Sequence, residues 1–285
     1  MALKEKIKLT NAELSSEVFK GNIVIFKNIK SVKLLCSNAR KLLKKKFFVD
    51  DPLRIQERYN KEEFIKYCAT AQNEFRKNKT INKLFIMSLE EIGLKIRTIF
   101  CDRYILRIQP CGISHSGGVA SSVKYHRDTW GTNIKQQLNW WGPIYPIDRN
   151  RTICIFPEYW DKPIKNNSNT WSIDKYISES KKIKDGYAPT YKAYPTVLEK
   201  PSHKSEIRIE INPGDLICFS SAHLHTSAIN TTKLPRFSFE TRTIDMNDIK
   251  FDRGAKNVDG EGKKKIFQLF TNLENGINLK NIIKS

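Results

Sequence analysis

The chain has 285 residues, enough for one large or two small domains, and its 39% hydrophobic content supports a packed core. Fifty Lys and Arg against 30 Asp and Glu give a formal charge of +20, which would attract nucleic acid, an anionic membrane or an acidic small molecule. The cations are dispersed apart from runs such as Lys44 to Lys46 and Lys263 to Lys265, so solvated surface charge is the simpler account, and no apolar stretch reaches the roughly 20 residues of a membrane span.

The N-terminus, MALKEKIKLTNAELSSEVF, opens with charge and develops no apolar run followed by small residues, so it does not read as a secretory signal and a cytoplasmic location is expected. Asn22 to Ile29 is β-rich, and Ser31 to Phe47 carries apolar positions at helical spacing. Lys61 to Arg76 and Thr80 to Ile99 repeat that spacing, with Leu84, Met87, Ile92 and Ile96 expected to be buried. From Arg103 the period changes. RYILRIQP, KQQLNWWGPIYPI, RTICIFP, SEIRIEI, GDLICFSS and RFSFETRTI are short, β-branched or aromatic, and separated by Gly, Pro, Asn and Ser.

Asp161 to Pro201 is polar and interrupted by Pro and Asn, with one short helix expected around Ile173 to Lys182, and an insertion of this length reads as a lid or binding loop. From Asn247 the chain turns polar before a weakly amphipathic end, which predicts a peripheral C-terminal arm. Six cysteines lie at long intervals without a CxxC pair and read as free thiols. With no linker or repeat, one domain is expected: helical support over 1–102, a β core over 103–246 with the insertion at about 161–201, and an arm over 247–285. The class is α+β or mainly β, a sandwich or jelly roll buttressed by N-terminal helices.

The chemistry gathers in two places. VKYHRDTWG sets His126 and Asp128 two apart, which in an extended strand or at its exit presents both side chains on one face. Alone, an HxD tripeptide is weak. At the far end of the β-rich region, NPGDLICFSSAHLHTSAINTTKLPRFSFETRT supplies a turn, an apolar strand, two histidines and a strand bearing Arg236, Ser238 and Arg242. Two imidazoles and one carboxylate on one face of iron(II) leave positions open for a bidentate co-substrate and dioxygen, whereas zinc favours closed tetrahedral sets. A 2-oxo acid bound there has a distal carboxylate, for which a guanidinium is a two-pronged donor, and Arg236 with Ser238 fits that role. Strand alternation does not separate His223 from His225, because both would face the same side.

HRD, then GDLICFSSAHLHTSAIN, then RFS resembles the phytanoyl-CoA dioxygenase-like branch of the iron(II)/2-oxoglutarate oxygenases, over roughly Tyr104 to Ile244. The resemblance implies a double-stranded β-helix (a cupin-like jelly roll). It also implies iron(II) held by His126, Asp128 and His225, with 2-oxoglutarate and dioxygen as co-substrates. His225 is the implied distal ligand because it lies five before Asn230 and eleven before Arg236. The implied reaction is hydroxylation of a small molecule coupled to decarboxylation of 2-oxoglutarate to succinate. Related halogenases carry a small residue in place of the carboxylate ligand, so Asp128 favours hydroxylation. The segment QQLNWWGPIYPIDRNRTICIFPEYW resembles the family's pocket-lining strands, and Gln137, Asn139 and Trp141 on one face are expected to look into the site.

His115 and His203 read as loop residues without a ligand role. Lys124, Arg127, Arg149 and Arg151 are candidate cations for an anionic small-molecule substrate. One rival is a nucleic-acid demethylase of the AlkB type, whose R-x5-R spacing Arg236 and Arg242 reproduce. The histidine spacings and the lack of an interleaved basic and aromatic stripe weigh against it. A non-catalytic jelly-roll binding module is the rival from another class.

Overall fold

Side chains that satisfy the free N–H groups of a first turn mark where the early helices begin. The computed structural model describes residues 1–112, 114–181 and 194–283. After β1 (Leu3–Lys6), Thr10 and Glu13 form a capping box at the head of α1 (Asn11–Phe19). β2 (Ile23–Phe26) and α2 (Lys30–Phe47) follow, then the single turn α3 (Ile55–Arg58). Asn60 with Glu63 caps α4 (Lys61–Lys77), and Asn78 caps α5 (Lys79–Glu91). α2 packs against α4 and α5 through Val32, Leu35, Ala39, Leu43 and Phe47. Leu84 and Ile92 are buried as expected, but Met87 is 40% exposed and lies on the solvent side of α5.

The strands then come in chain order: β3 (Ile99–Cys101), β4 (Ile105–Gln109), β5 (Leu138–Pro143) and β6 (Ile153–Ile155), with the short α6 (Asp128–Thr132) before β5. α7 (Ile173–Ser180) lies in the insertion. β7 (Ile207–Arg208), β8 (Leu216–Ser220), β9 (His225–Ser227) and β10 (Arg236–Asp245) follow, then α8 (Met246–Lys250) and β11 (Thr271–Asn272). The end of the predicted helix at Lys182, and the middle of the predicted lid, lie outside the described residues.

The large sheet runs β1-β2-β8-β5-β10-β3-β11, with β4 beside the first half of β10, and the small sheet runs β7-β6-β9. On one face of the large sheet, Leu106, Ile108, Leu138, Trp140, Leu216, Phe237 and Phe239 join the helices in a single core. On the other, Trp141, Ile217 and Phe219 meet Ile153, Ile155 and Ile209 from the small-sheet side. Burial on both faces explains why these strands read as nearly continuous apolar runs. The protein is thus a mixed α+β structure with helices outside the large sheet and a second sheet on its other face.

The C-terminal arm is less peripheral than its polar composition predicts. β11 pairs with β3, and Ile266, Phe270 and Leu279 are buried. All six cysteines are unpaired, and only Cys111 is not fully buried.

Candidate metal centre

His126 and His225 face each other across an antiparallel bridge, each backbone N–H donating to the other's carbonyl at 3.1 and 3.0 Å. Directly opposed residues project to the same side of a ladder, so the two rings come together with centroids 4.2 Å apart. Asp128 was expected in a strand or at its exit. It is in fact the first residue of α6, with extended Arg127 as the N-cap, and the chain turns there to bring the carboxylate back toward both rings. Its oxygens lie 3.9 Å from His126 Nε2 and 3.5 Å from His225 Nε2. One ligand atom from each of the three buried residues falls within 4.8 Å of the others.

The ring orientations leave the right atoms free. His126 Nδ1 donates to the Lys124 carbonyl at 2.8 Å, and His225 Nδ1 donates to the His223 carbonyl at 3.0 Å. With the proton on Nδ1, the Nε2 of each ring is left to face the shared space, the tautomer a metal requires. Burial pushes the His126 pKa down to about 3, so this imidazole is neutral at ordinary pH.

For Asp128, burial alone would raise the pKa, but the Arg242 guanidinium, helped by a hydrogen bond from Asn139, more than offsets it and holds the carboxyl below its usual range. Arg242 Nε donates to Asp128 Oδ1 at 2.9 Å, and its Nη1 donates to Asp102 at 2.7 Å. Asn139 Nδ2 donates to the other Asp128 oxygen. One carboxylate is therefore kept ionised and fixed from two sides.

A cavity of about 550 Å³, open mouth included, extends from His126, Asp128 and His225 to Arg236 between the two sheets. Arg236 is 1% exposed, its Nη2 donates to Ser227 Oγ at 3.0 Å, and its Nη1 donates to the Thr152 carbonyl. Among the described residues no carboxylate pairs with it, and its Nε has no partner. Burial lowers its pKa to about 10, which still leaves it charged at neutral pH. A buried cation without a counter-charge is costly unless an anion is supplied. Ser238 Oγ, on the same face of β10, is likewise buried without a partner, but Ser238 is not among the residues that line the cavity.

Of the other expected site residues, Asn139 lines the cavity, as do Trp141 and part of Trp140. Gln137 precedes β5, donates to Ser221 Oγ at 2.7 Å and does not line the cavity. His223 is turned away: its Nδ1 faces the Ser220 carbonyl and its Nε2 the Gly21 carbonyl, both at 3.0 Å. Its ring lies 4.5 Å from that of Trp160, tilted by 36°, and Trp160 also packs so closely on Gly21, where φ is +88°, that a side chain there would clash. His115 bonds to the Tyr59 carbonyl and His203 to Glu206 and Tyr125, both away from the cavity.

The four cations proposed for an anionic substrate do not line the cavity. Lys124 and Arg149 are exposed, Arg151 folds onto Asp148, and Arg127 is buried in an ion pair with Asp259. The cavity's own ion pair, Arg107 with Glu240, was missed, as was Tyr194, whose ring lies 4.3 Å from that of His126. The alternation in RFSFETR did contain the signal, since it puts Arg236, Ser238, Glu240 and Arg242 on one face of β10.

No family model matches the chain, and no curated protein matches it. Among solved structures it is similar to EvdO2 from Micromonospora carbonacea var. aurantiaca, at 12% identity over 85% of this chain and 93% of that one, with a TM-score of 0.47. EctD from S. alaskensis, in its apo form, is 12% identical over 94% of this chain and 86% of that one, with a TM-score of 0.44. The epimerase SnoN, solved with Fe3+, alpha ketoglutarate and nogalamycin RO, is 12% identical over 82% of this chain and 83% of that one, with a TM-score of 0.43. At these values the likenesses carry no chemistry over to this chain, and its own side chains must supply it.

Proposed function

We propose that this chain is a non-haem iron(II), 2-oxoglutarate-dependent oxygenase that hydroxylates a small molecule. On this reading the two sheets form a double-stranded β-helix and the chain is a single oxygenase domain. The observation that carries the proposal is one cavity with two ends: a buried two-imidazole, one-carboxylate cluster at one end and, at the other, the buried Arg236, with which no carboxylate among the described residues pairs. A facial set of this kind suits iron(II) with positions left open, and the guanidinium suits the far carboxylate of a short 2-oxo diacid.

His126, Asp128 and His225 would hold the iron, which when bound supplies the oxidative decarboxylation of 2-oxoglutarate that drives substrate oxidation. Arg236, with Ser227 beside it and the unpaired Ser238 hydroxyl nearby, would bind and orient the distal carboxylate. Trp141, Ile153 and Phe219 form apolar walls that exclude water from the reacting centre. Tyr194 covers one face of His126, and Asn139 and Arg242 keep Asp128 ionised and aimed. An acidic ligand at the third position favours hydroxylation over halogenation.

Among the described residues, Arg107, Arg236 and Arg242 line the cavity with Glu240 and Asp128, and Arg242 also holds Asp102 outside it. Arginines enclosed in a cavity of this size, rather than spread over an open basic surface, support a small molecule over a nucleic acid as substrate. Anaerobic addition of iron(II) and 2-oxoglutarate together tests the proposal. A weak visible charge-transfer band that needs both is expected, with slow succinate formation once air is admitted. A protein that binds neither would overturn the reading.

A further inference from the structure

The arm residue Asp259 is the most heavily used carboxylate near the metal loop. Its side chain is 6% exposed, and it accepts from Arg127 Nε at 3.2 Å and Nη2 at 3.1 Å, and from the Trp130 indole at 2.7 Å. It also accepts from the backbone N–H of Ile164 at 3.0 Å, at the start of the insertion, and its own carbonyl accepts from Asn166 Nδ2 at 2.9 Å. Five donors from four residues thus converge on one residue more than 130 positions downstream of the HRD tripeptide.

Arg127 shows what these contacts are for. It sits between His126 and Asp128 in sequence, yet its side chain points away from the cavity. Its Nη1 donates to the Ala222 carbonyl at 2.5 Å, and its Nη2 donates to the Tyr159 carbonyl at 2.6 Å and the Lys162 carbonyl at 3.1 Å. Ala222 opens the turn that delivers His225. One guanidinium therefore joins the loop carrying two ligands to the turn carrying the third. It is 2% exposed, and Asp259 is its one counter-charge among the described residues. Without Asp259 the guanidinium would be buried and uncompensated, and its pull on the Ala222 carbonyl would be lost or redirected.

We propose that Asp259 is a positioning residue of the metal centre. Through Arg127 and Trp130 it holds His126, Asp128 and the turn before His225 in ligating geometry, and it ties them to the insertion at Ile164 and Asn166. This inference rests on the reading that the three residues bind a divalent metal. It assigns a role in that site to the C-terminal arm, whose polar, Gly-containing sequence gives no hint of one.

The test is Mn(II) binding to the full chain, followed by electron paramagnetic resonance, which needs neither co-substrate nor turnover. Asp259→Asn keeps the shape and removes the charge. Its folded form is expected to bind Mn(II) on the order of 10-fold more weakly, the low end of the cost of losing groups that orient metal ligands, with a changed spectrum for the bound ion. Asp252→Asn is the control, because that arm carboxylate pairs with Lys135 at the surface, and wild-type affinity is expected. If Asp259→Asn melts earlier but binds Mn(II) as tightly as wild type, Asp259 is only structural and the proposal fails. Should Asp259→Asn not fold, Trp130→Phe removes one donor to Asp259 and leaves the ion pair. A weaker site in that variant supports the proposal, and unchanged affinity overturns it. Wild-type protein that binds no Mn(II) would instead sink the metal-site reading itself.

Discussion

His126 and His225 exchange both of their backbone hydrogen bonds, so two residues 99 apart in sequence are locked as direct partners before any ion arrives. Their imidazoles are aimed by carbonyls of their own loops rather than by each other. A site built this way is preorganised, and its variants should separate ion binding from folding.

His225→Ala is expected to abolish Mn(II) binding, whereas His223→Ala should retain it. The His223 ring nitrogens both face carbonyls away from the cavity, so its loss leaves the ligand set intact. The cost instead falls on stability, about 1–3 kcal/mol for the hydrogen-bonding groups left unpaired. Metal titration and thermal melts of the two variants check this, and the reverse pattern would move the ligand to His223.

Arg236→Lys should raise the 2-oxoglutarate requirement on the order of 10- to 100-fold, because an ammonium cannot reproduce a two-pronged contact. Mn(II) affinity should stay at the wild-type level, since Arg236 touches none of the three ligands. Equilibrium binding of 2-oxoglutarate to the Mn(II)-loaded protein separates the two effects. Unchanged co-substrate affinity would remove Arg236 from the clamp.

Arg242→Met strips the counter-charge from Asp128 and Asp102 together. Breaking a buried pair on one side costs about 3–5 kcal/mol, so the metal-free protein should melt much earlier. A divalent ion neutralises Asp128 again, and Mn(II) should therefore raise the melting temperature of this variant more than that of wild type. Equal increments would show that Arg242 does not stabilise Asp128.

Acid should weaken the metal-free protein in two stages. His126 and His223 have pKa values near 3 and 4 in the fold, both lowered chiefly by burial, against an ordinary value of about 6.5. Between those values the unfolded chain binds more protons than the folded one, so stability falls as the pH drops from about 6.5. Asp128 is depressed as well, and its contribution is present above the ordinary carboxyl range and lost below about pH 4. Melting temperatures should change little from pH 8 to about pH 7 and then fall toward pH 5 in wild type, and fall less steeply in His223→Gln. An identical slope would assign the loss to other groups.

Much of this was legible because the relevant patterns are local. The change at Arg103 from helical spacing to short β-branched and aromatic runs located the β-rich part, and HxD with the AHLHTS and RFS segments pointed to the three residues that the fold brings together and to Arg236. What could not be read was direction. Arg127 looks like a pocket cation in sequence, but desolvation drives it to the carboxylate of Asp259, and no local pattern links residues so far apart. Gln137 fell one residue outside β5, where alternation no longer decides which way a side chain faces. Arg107 and Glu240 come from separate strands, and only the pairing of β4 with β10 brings them together.

His225 and Ser227 stand two residues apart on the same face of β9, one at the metal end of the cavity and the other against Arg236. The step between them is a property of extended backbone, roughly 7 Å, and side-chain repacking does not stretch it. On the proposed reading, the spacing between the chelating end and the carboxylate end of a bound 2-oxo diacid would thus be set by peptide geometry. Longer or shorter 2-oxo diacids would then meet that ruler out of register, and the strand itself would discriminate chain length.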